Sequence, residues 1–205
     1  MERVGFRRQY VYDPVHRLIH AWNALALLLL IATGEAARLG ALWPDVALWR
    51  EWHRWFGDGL ILGLVARIVW GLAGPDYARL SRLWQPRAWR EALATGKWLS
   101  APCAFGPHAP ASAVYLFVYV VLLVLAGTGL ALLAIKSGQG PLAHWLGFRV
   151  ELKAAQLIPH VWVSRLLWGF VLAHIAALIW HERRHGTPLA QGMVSGYQYL
   201  PDETK

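Results

Sequence analysis

The chain has 205 residues, of which 57% are hydrophobic and only 16% charged, with 13 Trp and a formal net charge of +8. That apolar content exceeds what a soluble domain of this length carries, and no basic stripe with base-stacking aromatics lies outside the apolar stretches. A soluble globular domain and a nucleic-acid-binding protein are thereby excluded in favour of a membrane protein.

In chain order, the N-terminal "MERVGFRRQYVYDPVHR" is basic but lacks the apolar core and small-residue cleavage site of a removable signal peptide, so the first helix is expected to be retained. Four stretches are nearly free of charge and each is close to the ~20 helical residues that cross a ~30 Å hydrocarbon core. The spacing predicts spans over roughly 18–36, 55–74, 114–135 and 160–181, in a single domain covering 1–205. The expected fold class is an all-α integral membrane protein with four transmembrane helices. Before the third span, "SAPCAFGPHAPASA" (100–113) is rich in Pro and Gly and reads as a connection. Ahead of it, "PRAWREALATGKW" begins with Pro and sets Trp89, Leu93 and Trp98 among basic residues, which predicts a short interfacial helix over 86–99 lying on membrane lipid.

Charge sets the orientation. Arg3, Arg7, Arg8 and Arg17 precede the first span; Arg79, Arg82, Arg87, Arg90 and Lys97 lie in the second connection; Arg183, Arg184 and Lys205 follow the last span. The first and third connections carry half as many, namely Arg38, Arg50 and Arg54, then Lys136, Arg149 and Lys153. The positive-inside rule therefore predicts a multi-pass membrane protein with both termini and the second connection cytoplasmic, and assigns the basic excess to orientation and anionic lipid rather than to nucleic acid.

Ionisable residues at membrane depth are costly and mark functional sites. A lone Cys103 allows no internal disulfide, no thiolate-held iron–sulfur cluster and no CxxCH attachment of a covalent haem, so any redox centre must be held by histidine. His160 and His174 are fourteen residues apart on the fourth span. At ~100° and ~1.5 Å per residue that spacing returns the side chain to within about 40° of the same face, roughly 21 Å along the axis. The same interval leads from His20 to Gly34 and from His53 to Arg67. Two layers result: His20, His174 and Arg67 near the cytoplasmic face, and His53, His160 and Gly34 near the periplasmic face. Each layer offers two imidazoles, the number needed for the axial positions of one haem iron. Two non-covalent, bis-histidine haems b are expected. Gly34 admits either a porphyrin face or a neighbouring helix; Arg67 either neutralises a propionate or snorkels to the headgroups. Arg165, five residues after His160, is a second candidate for a propionate.

Several segments carry a resemblance. "VYDPVHRLIHAWNALALLLLIATG" is similar to the opening of the bacterial cytochrome b561 and Ni/Fe-hydrogenase b-type cytochrome superfamily. "WREWHRWFGDGLILGLVARIVWGLAGPDYARL" resembles its second helix, "PHVWVSRLLWGFVLAHIAAL" its fourth, and "GMVSGY" its closing segment. The resemblance covers almost the whole chain. It implies a four-helix membrane subunit with two b haems that passes electrons between quinone and a periplasmic partner, either a hydrogenase-type subunit or a c-type cytochrome. A stand-alone quinol oxidase of the same fold is the alternative.

His16, one turn before His20, and His108 in "GPHAP" are candidate partners for a quinone carbonyl, against the plainer reading of solvated interfacial imidazoles. "HERRH" (His181–His185) matches the H-E-x-x-H of a zinc metalloprotease. It falls at the headgroup end of the last span, with no acid on another span at that level to complete a zinc site, so Arg183 and Arg184 are better read as headgroup anchors.

Overall fold

The computed structural model describes residues 6–40, 45–96, 109–186 and 188–201. In chain order it contains β1 (Phe6–Tyr10), α1 (Pro14–Arg38), α2 (Val46–Ala73), two short 3₁₀ turns, α3 (Pro86–Ala94), α4 (Ala109–Ser137), α5 (Ala143–Leu146), α6 (Lys153–His185), α7 (Ala190–Ser195) and β2 (Tyr197–Pro201). Four of these helices, α1, α2, α4 and α6, are long and apolar enough to cross a membrane. The protein is a mostly helical, multi-pass membrane protein, and the two short strands that were not expected from sequence pair with each other.

Each long helix runs past its charge-poor stretch, and local chemistry says why. α1 opens at Pro14, a residue suited to a first turn, behind an Asp13 whose carboxylate accepts the His16 backbone N–H at 2.9 Å. α4 likewise tolerates Pro110 because a first-turn N–H has no intrahelical partner to lose. α6 begins at Lys153 and continues through Pro159, which has no N–H to give to the carbonyl four residues back. α3 stops earlier than the predicted 86–99, at Thr95 followed by Gly96 with φ +66°; residues from 97 onward in that prediction lie outside the described ones.

Two compact units divide the chain: residues 1–115 with 175–205, and residues 116–174. In the first unit α1 and α2 run antiparallel. The Trp70 indole donates to Asp13 at 3.2 Å at one end, the Trp22 indole donates to the Gly59 carbonyl at 2.8 Å midway, and Gly34 meets His53 at the other end. Gly63 supplies the closest approach, since a Cβ there would stand 2.0 Å from Asn23 Oδ1 and 2.6 Å from Trp22 Cδ1. β1 pairs antiparallel with β2, Phe6 opposite Pro201 and Tyr10 opposite Tyr197, and the Arg17 guanidinium donates to the Val194 carbonyl. The terminal segments thus meet beside the start of α1. The Trp89 indole ties α3 to Ser112, a fully buried hydroxyl on α4, at 2.9 Å.

In the second unit α4 and α6 are joined by a tight connection. Gly138, at φ +63°, leaves the space into which the Phe148 ring packs; a Cβ there would be 2.5 Å from Phe148 Cε2. Many large apolar residues on all four long helices are exposed, among them Leu18, Leu62, Phe117 and Trp162, as expected of surface that faces lipid rather than water.

Candidate functional site

The first unit places two groups of polar residues at opposite ends of the α1–α2 pair. At one end stand Asp13, His16, His20, Trp70 and Arg67. Asp13 is buried at 8% exposure and holds both the start of α1 and Trp70. Arg67, at 9% exposure, extends along α2 over Gly71, where a Cβ would be 2.9 Å from Nη1. Its guanidinium, Asp13 and His20 all lie within electrostatic range of His16. Tyr12 stacks obliquely on His16 with ring centroids 5.6 Å apart. Burial, and secondarily the Tyr115 phenol, push the Tyr12 hydroxyl up to about 12, so it remains a neutral hydrogen-bond donor at physiological pH.

At the other end His53 is held by α1. Its Nδ1 lies 3.1 Å from the Leu30 carbonyl and 3.1 Å from Thr33 Oγ1. A carbonyl can only accept, so Nδ1 carries the proton and donates; Nε2 is left with its lone pair. Thr33, at 4% exposure, gives its own hydroxyl proton to the Leu29 carbonyl at 2.7 Å and thus has only lone pairs to offer the imidazole. Gly34 makes this approach possible, because a Cβ there would stand 3.1 Å from His53 Cε1. The neighbour that Gly34 admits is therefore a side chain of α2, the His53 imidazole.

The second unit repeats the device with different helices. Thr128 of α4 donates to the Val124 carbonyl at 2.7 Å and sits 2.9 Å from His160 Nδ1 of α6. His160 Nδ1 thus faces a threonine hydroxyl, as His53 Nδ1 does. Gly129 follows Thr128 as Gly34 follows Thr33, and its missing Cβ would lie 3.5 Å from His160 Cε1. His174, fourteen residues on, is exposed and stacks on Phe170 with centroids 5.7 Å apart. Arg165 is exposed and stands about 140° round α6 from His160.

Thr33, Thr128, Asp13 and Trp70 were not among the site residues expected from sequence. The legible trace of the two threonines is the Thr-Gly dipeptide at 33–34 and 128–129, one copy in the first and one in the third span. His108 lies outside the described residues. In "HERRH", the Glu182 carboxylate accepts the backbone N–H of Ala190 at 2.7 Å, and the Arg184 guanidinium lies over the Trp180 ring at 6.0 Å. These contacts close the end of α6 and start α7, a structural use of the segment.

An imidazole whose Nδ1 is bonded to a carbonyl or hydroxyl is held as iron-ligating histidines are, and His53 and His160 both have such a partner at Nδ1. The donor set therefore suits haem. Comparison with known proteins points the same way. The sequence pattern of prokaryotic cytochrome b561 matches residues 11–196. The chain is 26% identical to a probable Ni/Fe-hydrogenase B-type cytochrome subunit of Cupriavidus necator, over 97% of this chain and 90% of that protein. It is 25% identical to the protein of the same description from Bradyrhizobium diazoefficiens, over 97% and 89%. With that of Azotobacter chroococcum the identity is 26%, over 95% and 90%. No solved structure matches the chain.

Proposed function

This chain belongs to the prokaryotic cytochrome b561 family, whose members are b-type cytochromes, and from that premise we propose that it is the membrane cytochrome subunit of a hydrogenase-type complex, carrying electrons between a periplasmic redox partner and quinone. Two non-covalent haems b, one held by His20 and His174 and the other by His53 and His160, supply one-electron Fe(III)/Fe(II) couples when bound. Arg67 neutralises a propionate in the first layer, and Arg165 serves as the exposed counterpart on α6. His16, with Tyr12 beside it as a neutral donor, contributes to a quinone site near the first layer, on the cytoplasmic side.

The observation that carries this reading is the way His53 is held: a half-buried imidazole in an apolar span whose Nδ1 donates to the Leu30 carbonyl beside the Thr33 hydroxyl, the support expected of an iron-ligating histidine. Support for the layers comes from the α1–α2 register, which separates the Asp13–Trp70 end from the Gly34–His53 end, and from the fourteen-residue spacing on α6. The hydrogenase partner is taken from the descriptions of the relatives.

A pyridine haemochrome assay of the well-loaded chain is expected to find about two haems per chain. His20→Ala and His174→Ala are expected to remove one spectral component, and His53→Ala and His160→Ala the other, because an iron without one axial imidazole exchanges its haem readily. Fewer than about one haem per chain would overturn the di-haem reading. Loss of the same component in His20→Ala and His53→Ala would overturn the layers.

A further inference from the structure

We propose that Thr33 and Thr128 are positioning residues for the two imidazoles of one haem, fixing each ring as its Nδ1–H tautomer and holding that haem's potential below what unsupported histidines would set. The proposal rests on the ligand assignment above and adds what governs the ligands.

The two threonines share one local construction. Each lies in a helix, gives its hydroxyl proton to the carbonyl four residues back, 2.7 Å away in both cases, and is followed by glycine. Each turns the remaining lone pairs toward a histidine Nδ1 on another helix, at 3.1 Å for His53 and 2.9 Å for His160. Thr33 and Thr128 also contact the carbonyls three residues back, at 3.3 and 3.2 Å. The hydroxyl in each case is oriented by its own helix before any cofactor enters.

The consequence is electrostatic as well as geometric. A hydroxyl oxygen with no proton to spare pulls on the Nδ1 proton and makes Nε2 the stronger donor. A stronger donor favours ferric over ferrous iron, which lowers the potential. It also anchors the ring plane, since the imidazole cannot turn about its side-chain torsions without breaking the bond. The two anchored histidines, His53 and His160, are those assigned to one haem, the one facing the periplasmic partner. A lower potential would make that haem the stronger donor for onward transfer toward quinone, at the expense of driving force for its own reduction by the periplasmic partner.

The test is Thr33→Val, Thr128→Val and the double variant in the full-length, haem-loaded chain in lipid nanodiscs, each beside its Thr→Ser counterpart. Valine keeps the branched shape and deletes the hydroxyl; serine keeps the hydroxyl. Three quantities are read: the midpoint of each haem component, the rate of haem transfer to an excess of apomyoglobin, and the haem-to-protein ratio. Each valine variant is expected to raise the midpoint of the same one component, by up to about tenfold in the ferric/ferrous equilibrium, or ~59 mV for one electron. That haem should also leave roughly 10–100-fold faster, the usual cost of losing a partner of a metal-bound histidine. The serine variants should stay near wild type. Unchanged midpoints and loss rates in valine variants that retain haem would overturn the proposal, as would serine variants that shift like valine ones. If the two threonines act on different components, the positioning role stands and the pairing of His53 with His160 falls. Wild-type chain that binds no haem would instead overturn the ligand assignment.

Discussion

Gly34→Ala tests whether His53 is held as closely as its contacts indicate. The added Cβ would stand 3.1 Å from Cε1 and 3.4 Å from Nδ1 of His53, whereas relaxed carbon contacts lie at about 3.5–4.0 Å. The ring must retreat from α1 by roughly 0.4 Å or more. Both acceptors of its Nδ1 proton, the Leu30 carbonyl and Thr33 Oγ1, are on α1 at 3.1 Å, near the long end of the normal range, so the retreat stretches both. Two weakened neutral hydrogen bonds cost about 1–2 kcal/mol, on the order of tenfold in retention of whatever His53 ligates. The helix itself gains ~0.5–1 kcal/mol from Ala over Gly, so folding should not suffer. Gly129→Ala is the matched control: its Cβ would lie 3.5 Å from His160 Cε1, an ordinary contact, and should be tolerated. Haem transfer to apomyoglobin, followed optically in the two variants, separates them. Equal rates in Gly34→Ala and Gly129→Ala would refute the reasoning.

Three further outcomes follow from the same geometry. Gly63→Ala, whose Cβ would stand 2.0 Å from Asn23 Oδ1 and 2.6 Å from Trp22 Cδ1, should part α1 from α2 and cost on the order of 1–3 kcal/mol, seen as a lower thermal unfolding midpoint in detergent. Arg67→Leu should lower the potential of the haem assigned to His20 and His174, because removing a buried cation favours the ferric state. A shift of roughly 59 mV is the expected scale, and an unchanged redox titration would leave Arg67 as a headgroup anchor. The contribution of Tyr12 to stability should be constant up to about pH 10 and fall between about 10 and 12. Tyr12 ionises near 10 in the unfolded chain but only near 12 when buried, so the stability present below 10 is lost as pH rises through that window, by up to roughly 2–3 kcal/mol. Tyr12→Phe should remove that fall in a pH series of unfolding curves.

The sequence by itself determined the four long helices, because a bilayer requires runs of apolar residues whose backbone bonds close within one segment. It also determined the candidate ligands, because histidines in such runs are few and a fourteen-residue interval nearly completes whole helical turns. What it could not reveal is how His53 and His160 are held. Thr33 and Thr128 are small polar residues inside apolar helices, and periodicity treats them as neutral filler. Their hydroxyls matter only because another helix brings an imidazole to 3.1 and 2.9 Å. Gly34 was legible as a place of close approach, but its visitor was not, since glycine records that space is needed and not which side chain occupies it. The helix ends were set the same way: the Asp13 carboxylate holds the first turn of α1 and the Trp70 indole at once, and Glu182 turns to the Ala190 backbone rather than to a metal. Hydrogen-bond partners distant in sequence leave no period in it, and only the packing of α1 on α2 and the approach of α6 to α4 at Thr128 decided which donor met which acceptor.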